Sequence, residues 1–312
     1  MPAKIPLLID TDPGVDDALA ILMAFNDPAH DVVGLTVCAG NVGLRHTVAN
    51  ALKLCEVAGR GDVPVFAGAD RPLVHAAPDA AYVHGKDGFG DIGYAPAQRE
   101  AEAEHAAQAI VRLSHAHEGD LLLVALGPLT NLALALRLDP TLPRRIGRLV
   151  VMGGAVTGQG NITPVAEFNV YFDPEAADEV FRAFPAYDLC DWEATLAHGL
   201  HHRDVDHWLQ ADGATARFYE GISRKTRTWS ADRRGDHWHS ADGLAMAFAL
   251  APEGAVQTAR HPLAVVLGDG PERGLTRVDR DDDGTGAGGA NILQRYDQGR
   301  FEALIARALA AR

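Results

Sequence analysis

Leu7-Leu8-Ile9-Asp10-Thr11-Asp12-Pro13-Gly14-Val15-Asp16-Asp17-Ala18 is the stretch on which the reading of this chain turns. Residues 6–9 are apolar without interruption, as in a strand covered on both faces. Four aspartates then fall within eight residues, and a helical pattern over 18–25 follows directly. Such a strand–loop–helix unit puts the loop at the carboxyl end of a strand, where ligands bind in open α/β sheets. Carboxylates crowded there repel one another, which raises some of their pKa values unless a cation sits among them. Pro13 and Gly14 permit a tight turn that folds the two acidic pairs toward one point. All the donors are hard oxygens, suited to Ca²⁺ or Mg²⁺ rather than zinc. Asp16 and Asp17 also have a plainer reading, as partners of a helix N-terminus worth ~0.3–1 kcal/mol each. That reading leaves Asp10 and Asp12 unexplained. The loop has neither the glycines nor the lysine of a phosphate-cradling loop.

Downstream, short apolar runs keep alternating with helical patterns. Strands are expected at 32–38, 64–67, 121–126, 149–152 and 187–190, and helices at 44–58, 105–117, 129–138 and 175–184. Apolar strands separated by helices imply a mostly parallel central sheet flanked by helices. Further helices are expected at 215–227, 243–250 and 301–310, and a β-hairpin across 256–278. The fold class is therefore α/β, with a C-terminal hairpin and helix extension. No repeat or linker divides the chain, so one domain over 1–312 is expected.

The chain is 47% hydrophobic and 22% charged, ample for a core. Its formal charge of −14 disfavours a nucleic-acid backbone or an anionic membrane as main partner. A neutral ligand, or one held through a cation, fits better. No run approaches the ~20 apolar residues of a membrane helix. No signal-peptide pattern follows Lys4, so a cytoplasmic location is expected. Cys38, Cys55 and Cys190 show no paired spacing, and buried thiols are expected.

The segment from Asp10 to Ala18 closely resembles the signature of the inosine–uridine nucleoside hydrolase family. Further blocks agree in order: Gly40-Asn41, His84-Gly85, Gly127-Pro128-Leu129-Thr130-Asn131, Met152-Gly153-Gly154, Asn161, Ala166-Glu167-Phe168-Asn169, Asp173-Pro174-Glu175-Ala176-Ala177 and Asp242. The resemblance implies Ca²⁺-dependent cleavage of the bond between base and ribose, with the products entering purine or pyrimidine salvage. It implies a Ca²⁺ held by Asp12, by both oxygens of Asp17, by the Thr130 carbonyl and by Asp242. It makes Asp16 the general base acting on a calcium-held water, and Asp10 a support for the metal loop. Asn41, Asn161, Glu167 and Asn169 would grip the ribose above Met152, with His84 near the ligand. A homodimer or homotetramer is the implied assembly.

The chemistry accounts for these residue types. Breaking the bond builds positive charge on the sugar ring, which nearby carboxylates stabilise. A cation and a base together make a nucleophilic water at neutral pH. Glu167 and Asn169 are two apart, so an extended segment would face both toward a diol. Taken singly, Thr130 and Asp242 read equally well as helix caps and Asn41 as a turn residue.

The third need, help for the departing base, is where the pattern departs. Much of the family has a histidine immediately before the last metal aspartate, and here that position is Ala241. His237 or His239 could donate the proton from a neighbouring position, Trp238 could stack on a purine, or the substrate could carry a base that leaves without help. Residues 85–93, rich in glycine, and 226–240, with Trp229 and Trp238, are expected to frame the ligand as movable loops.

Two other patterns lead elsewhere. Asp279-Arg280-Asp281-Asp282-Asp283-Gly284 begins like an EF-hand, but the twelfth position is Ala290. A solvated loop is expected. His198, His201 and His202 lack zinc spacing and are expected on an exposed helix face. Two rival functions remain: a phosphatase of the haloacid dehalogenase type using Asp10 and Asp12, and a calcium-dependent ribose-binding module without catalysis.

Overall fold

Leu7 and Ile9 point to one side of the first strand and Leu8 to the other, and all three are wholly buried. This alternation within an apolar run creates two cores, one on each face of a central sheet. A computed structural model describes residues 3–76, 78–278 and 289–310.

The first half runs β1 (Ile5–Thr11), α1 (Val15–Phe25), β2 (His30–Val37), α2 (Leu44–Val57), β3 (Val65–Ala67), α3 (Ala81–His84), α4 (Ala106–Ala116), β4 (Leu121–Ala125), α5 (Thr130–Leu138) and β5 (Ile146–Met152). Then come α6 (Phe168–Phe172), α7 (Pro174–Ala183), β6 (Ala186–Cys190), α8 (Trp192–Ala197), β7 (Leu200–His201), α9 (His202–Trp208), α10 (Ala214–Arg234), β8 (His237–Trp238) and α11 (Ala241–Leu250). The chain closes with β9 (Ala255–His261), β10 (Leu263–Val265), β11 (Thr276–Val278), β12 (Gly289–Tyr296) and α12 (Gln298–Leu309).

Eight strands form the main sheet in the order β3-β2-β1-β4-β5-β6-β12-β9. All neighbours are parallel except β9, which runs antiparallel to β12 at the edge. From β1 the chain winds out through β2 and β3, then returns to the other side of β1 with β4. The switch point therefore lies between β1 and β4, where Asp10 pairs in register with Ala125. Loops leaving these two strand ends diverge and open a crevice. One core packs α1, α11 and α12 against the face carrying Leu7 and Ile9; the other packs α4, α5 and α7 against Leu8, Leu121 and Leu123.

Several expectations need correction. Residues 256–278 do not form a single hairpin. Their first part is the edge strand β9, and only β10 and β11 pair with each other as a small separate sheet. The strand β12, which inserts between β6 and β9, has no counterpart in the sequence reading; its polar face hid it. The helix expected at 215–227 continues to Arg234, so Trp229 sits on a helix rather than a loop. His198 is buried rather than exposed: its Nε2 accepts from the Tyr296 N–H (2.9 Å) and its Nδ1 meets the Ala194 carbonyl (2.7 Å). Loop 85–93 is anchored by Phe89, which is fully buried against Tyr94 and Phe218. Asp87 and Asp91 accept backbone N–H groups of the same loop. The acidic run 279–284 and its continuation to 288 lie outside the described residues. All three cysteines are free and buried, as expected.

Candidate active site

The loop after β1 is built by mutual hydrogen bonding of its own groups. Asp17, on the first turn of α1, accepts at Oδ1 from the Thr11 hydroxyl (2.6 Å) and the Asp12 N–H (3.3 Å). Its Oδ2 accepts from the Gly14 N–H (2.9 Å) and the Asn41 amide (2.9 Å). Asp12 accepts at Oδ2 from the Asn41 N–H (2.6 Å). Glycine is required around it for space. A Cβ on Gly40 would stand 2.1 Å from Asp12 Oδ2, and one on Gly127 would stand 2.4 Å from Oδ1. Gly14 is also explained by close approach: its φ of −102° is ordinary, but a Cβ would meet His84 Nδ1 at 2.7 Å.

One carboxylate oxygen from each of Asp16, Asp17 and Asp242 lies within 4.8 Å of the others. Asp242 enters from the first turn of α11, which crosses α1. Burial, followed by the charges of Asp16 and Asp17, pushes the Asp242 carboxyl well above its usual range. Burial and then Asp17 do the same to Asp12. Burial raises Asp16 to about 6, with backbone N–H groups, including those of Ala241 and Asp242, opposing it. A cluster whose members all resist ionisation is one that a cation would complete, and its all-oxygen donor set fits a hard divalent ion.

Asp10 faces the other way. Its Oδ1 accepts from Thr36 (2.7 Å) and Asn131 (2.9 Å), its Oδ2 has no partner among the described residues, and burial lifts the carboxyl to about 7. It lies beneath the loop and outside the cavity.

Above the acidic loop lies a cavity of about 870 Å³ including its mouth, a size ordinary for a small-molecule site. Asp12, Asp16, Asn41, His84, Met152, Asn161, Glu167, Asn169 and Asp242 all line it. Glu167 and Asn169 are not on an extended segment. Glu167 caps the N-terminus of α6, its Oε1 accepting from the Asn169 N–H (3.0 Å) and its Oε2 from Gly154 (2.9 Å) and Val170 (3.2 Å). Capping, rather than strand alternation, brings the pair to one side. Burial raises Glu167 to about 7 against these backbone bonds. The Asn169 amide donates to the Leu126 carbonyl (2.6 Å), and Asn161 accepts from the Phe168 N–H (2.8 Å). The His84 Nδ1 accepts from the Val15 N–H (3.1 Å) and lies 3.9 Å from Asp16; burial lowers its pKa to about 4, so the ring is neutral.

Tyr82, Trp192 and Trp229 group around Arg234 as an aromatic end of the cavity, and Phe168 and Trp238 also line it. Trp238 is almost fully buried on β8 beside Tyr219, so it is a fixed wall. His239 lines this end, and burial followed by the neighbouring Arg234 lowers its pKa to about 4. His237 lines a neighbouring cavity instead.

Residues 7–303 match the family described as inosine-uridine preferring nucleoside hydrolase. The chain belongs to this family. Among relatives, a probable uridine nucleosidase of Oryza sativa subsp. japonica is 40% identical over 74% of this chain and 72% of its own length. Uridine nucleosidase 1 of Arabidopsis thaliana is 47% identical over 57% of this chain, and the match spans only 53% of that relative. Among solved structures, a plant nucleoside hydrolase superposes with a TM-score of 0.93 at 31% identity, covering 99% of this chain and 100% of the other. An inosine-guanosine nucleoside hydrolase gives 0.90 at 31% identity, covering 98% and 99%.

Within this nucleoside hydrolase fold, three of the expected residues stand apart from the cavity, Asp10, His237 and Thr130, while Asp17 takes part through the carboxylate cluster without lining the wall. Thr130 is buried at the start of α5 with its hydroxyl donated to Asp173 (2.7 Å), and among the described residues it is not part of the cavity wall. Leu126, at the end of β4, is. It was missed because a leucine in an apolar run signals only core, whereas a backbone carbonyl is independent of residue type. Trp192 and Arg234 were missed as well, since neither belongs to a motif.

Proposed function

We propose that this chain hydrolyses the N-glycosidic bond of ribonucleosides to free base and ribose, aided by a Ca²⁺ in the acidic loop. The observation that carries the reading is convergence. Carboxylates from β1, α1 and α11 meet amide and carboxylate groups from α6 and the β2–α2 loop in one cavity at the switch point. Asp12, Asp17 and Asp242 would hold the cation. The Thr130 carbonyl, or that of Leu126 on the cavity wall, would complete the set. When bound, the ion supplies Lewis acidity toward a water and toward sugar hydroxyls.

The chain's own groups do the rest. Asp16, itself a member of the cluster, lines the cavity and takes the proton from the attacking water. Glu167 sets a negative charge near the ring as positive charge develops there. Asn41, Asn161 and Asn169 orient the sugar, each pinned by the bonds described above. The phosphatase alternative is disfavoured because its nucleophile would be Asp10, which is sealed away from the cavity.

Ribose release from a panel of purine and pyrimidine ribonucleosides, with calcium present, is the test. Free ribose from at least one of them is expected. Phosphate release from a phosphomonoester without ribose release would refute the proposal. Among the described residues no helix is long and apolar enough to cross a membrane.

A further inference from the structure

 With alanine at 241, the position immediately before Asp242 offers no proton to a departing base. Arg234 ends α10 and lies at the aromatic end of the cavity, and Gly235 (φ +68°) turns the chain immediately after it. Its guanidinium stands 4.8 Å from the Trp192 ring centre and 5.8 Å from that of Trp229. Among the described residues, no hydrogen bond or ion pair engages it. Arg145, Arg148 and Arg273, which are likewise shielded from solvent, each reach a carboxylate. The side chain is half-buried, so its five N–H donors are held between aromatic faces and left for a ligand.

We propose that Arg234 contacts the base of the substrate and stabilises it as it leaves, favouring bases with ring carbonyl oxygens. This rests on the hydrolase reading above. A guanidinium only donates, so it complements the acceptor oxygens of uracil or hypoxanthine and not the amino group of adenine. In the step itself water bonds to C1′ and Asp16 takes its proton. The C1′–N bond breaks, its electron pair passes to the base nitrogen, and the charge spreads onto the carbonyl oxygens facing Arg234. The base is then protonated by solvent, so atoms and charge balance.

The test compares wild type, Arg234→Gln and Arg234→Lys on uridine, inosine, adenosine and p-nitrophenyl riboside, with thermal melts to establish folding. The p-nitrophenolate group leaves without help. Arg234→Gln is expected to lose roughly 100-fold or more in kcat on uridine and inosine, the scale of removing one charge-stabilising donor. Its loss on p-nitrophenyl riboside should stay under about fivefold, with Arg234→Lys intermediate on the nucleosides because it keeps the charge but not the fork. A uniform loss on every substrate, or unchanged uridine turnover in Arg234→Gln, overturns the assignment alone. A wild type that releases ribose from none of them overturns the hydrolase reading and this assignment together.

Discussion

The two ends of the cavity are built on opposite plans. At the acidic end Asp17 accepts four hydrogen bonds, and Glu167 has both oxygens taken by backbone N–H groups. At the aromatic end, rings and the Arg234 guanidinium stand with few polar partners. A sugar and cation site gains from groups that need no rearrangement as charge develops. A base site gains from broad apolar faces with one or two donors that select among bases. The contrast implies that changes at the first end cost turnover on every substrate, whereas changes at the second redistribute activity among substrates.

Asp12→Ala should break the first end most completely. Calcium binding, measured by calorimetry, and ribose release should both fall below detection, and retained calcium affinity would remove Asp12 from the ligand set. Asp16→Asn separates holding from chemistry: calcium affinity is expected to stay within a few-fold while kcat drops by about 10²–10⁴-fold. Normal turnover would end the general-base assignment. Glu167→Gln puts an NH₂ group where a backbone N–H now donates. A loss of ~1–3 kcal/mol in stability by denaturant titration is expected, together with a similar fractional loss in kcat for uridine and inosine. A loss confined to one nucleoside would show that Glu167 belongs functionally to the other end.

The smallest effect concerns pH. Burial raises Asp10 to about 7 and Asp16 to about 6, both from 3.8. The cation-free fold therefore binds more protons than the unfolded chain between about pH 4 and 7, and its stability falls as pH rises through that window. A divalent cation offsets the repulsion, so the gain in Tm on adding calcium should be larger at pH 8 than at pH 5. Equal gains would mean that the carboxylates do not face the ion together.

The acidic loop was legible because its residues are close in sequence and chemically improbable together. Aspartates at 10, 12, 16 and 17 after an apolar strand leave few alternatives. Asp242 could be assigned only through the family resemblance, since a lone aspartate before a helix reads as a cap. Thr130 stands out in a motif but gives its hydroxyl to Asp173, whereas Leu126, on the cavity wall, is of a type that signals only core. His239 illustrates a different limit: titratable type is visible in sequence, but burial and the neighbouring Arg234 set whether it can carry a proton.

What the amino-acid order determined alone was the local physics: apolar runs that must be covered on both faces, and a carboxylate cluster that needs a counter-charge. The tertiary structure decided which distant groups share a space. It buried Asp10 away from the ligand, turned Glu167 into a helix cap, and extended α10 so that Arg234 reaches the cavity. Those outcomes depend on contacts between residues far apart in the chain, and no local pattern encodes them.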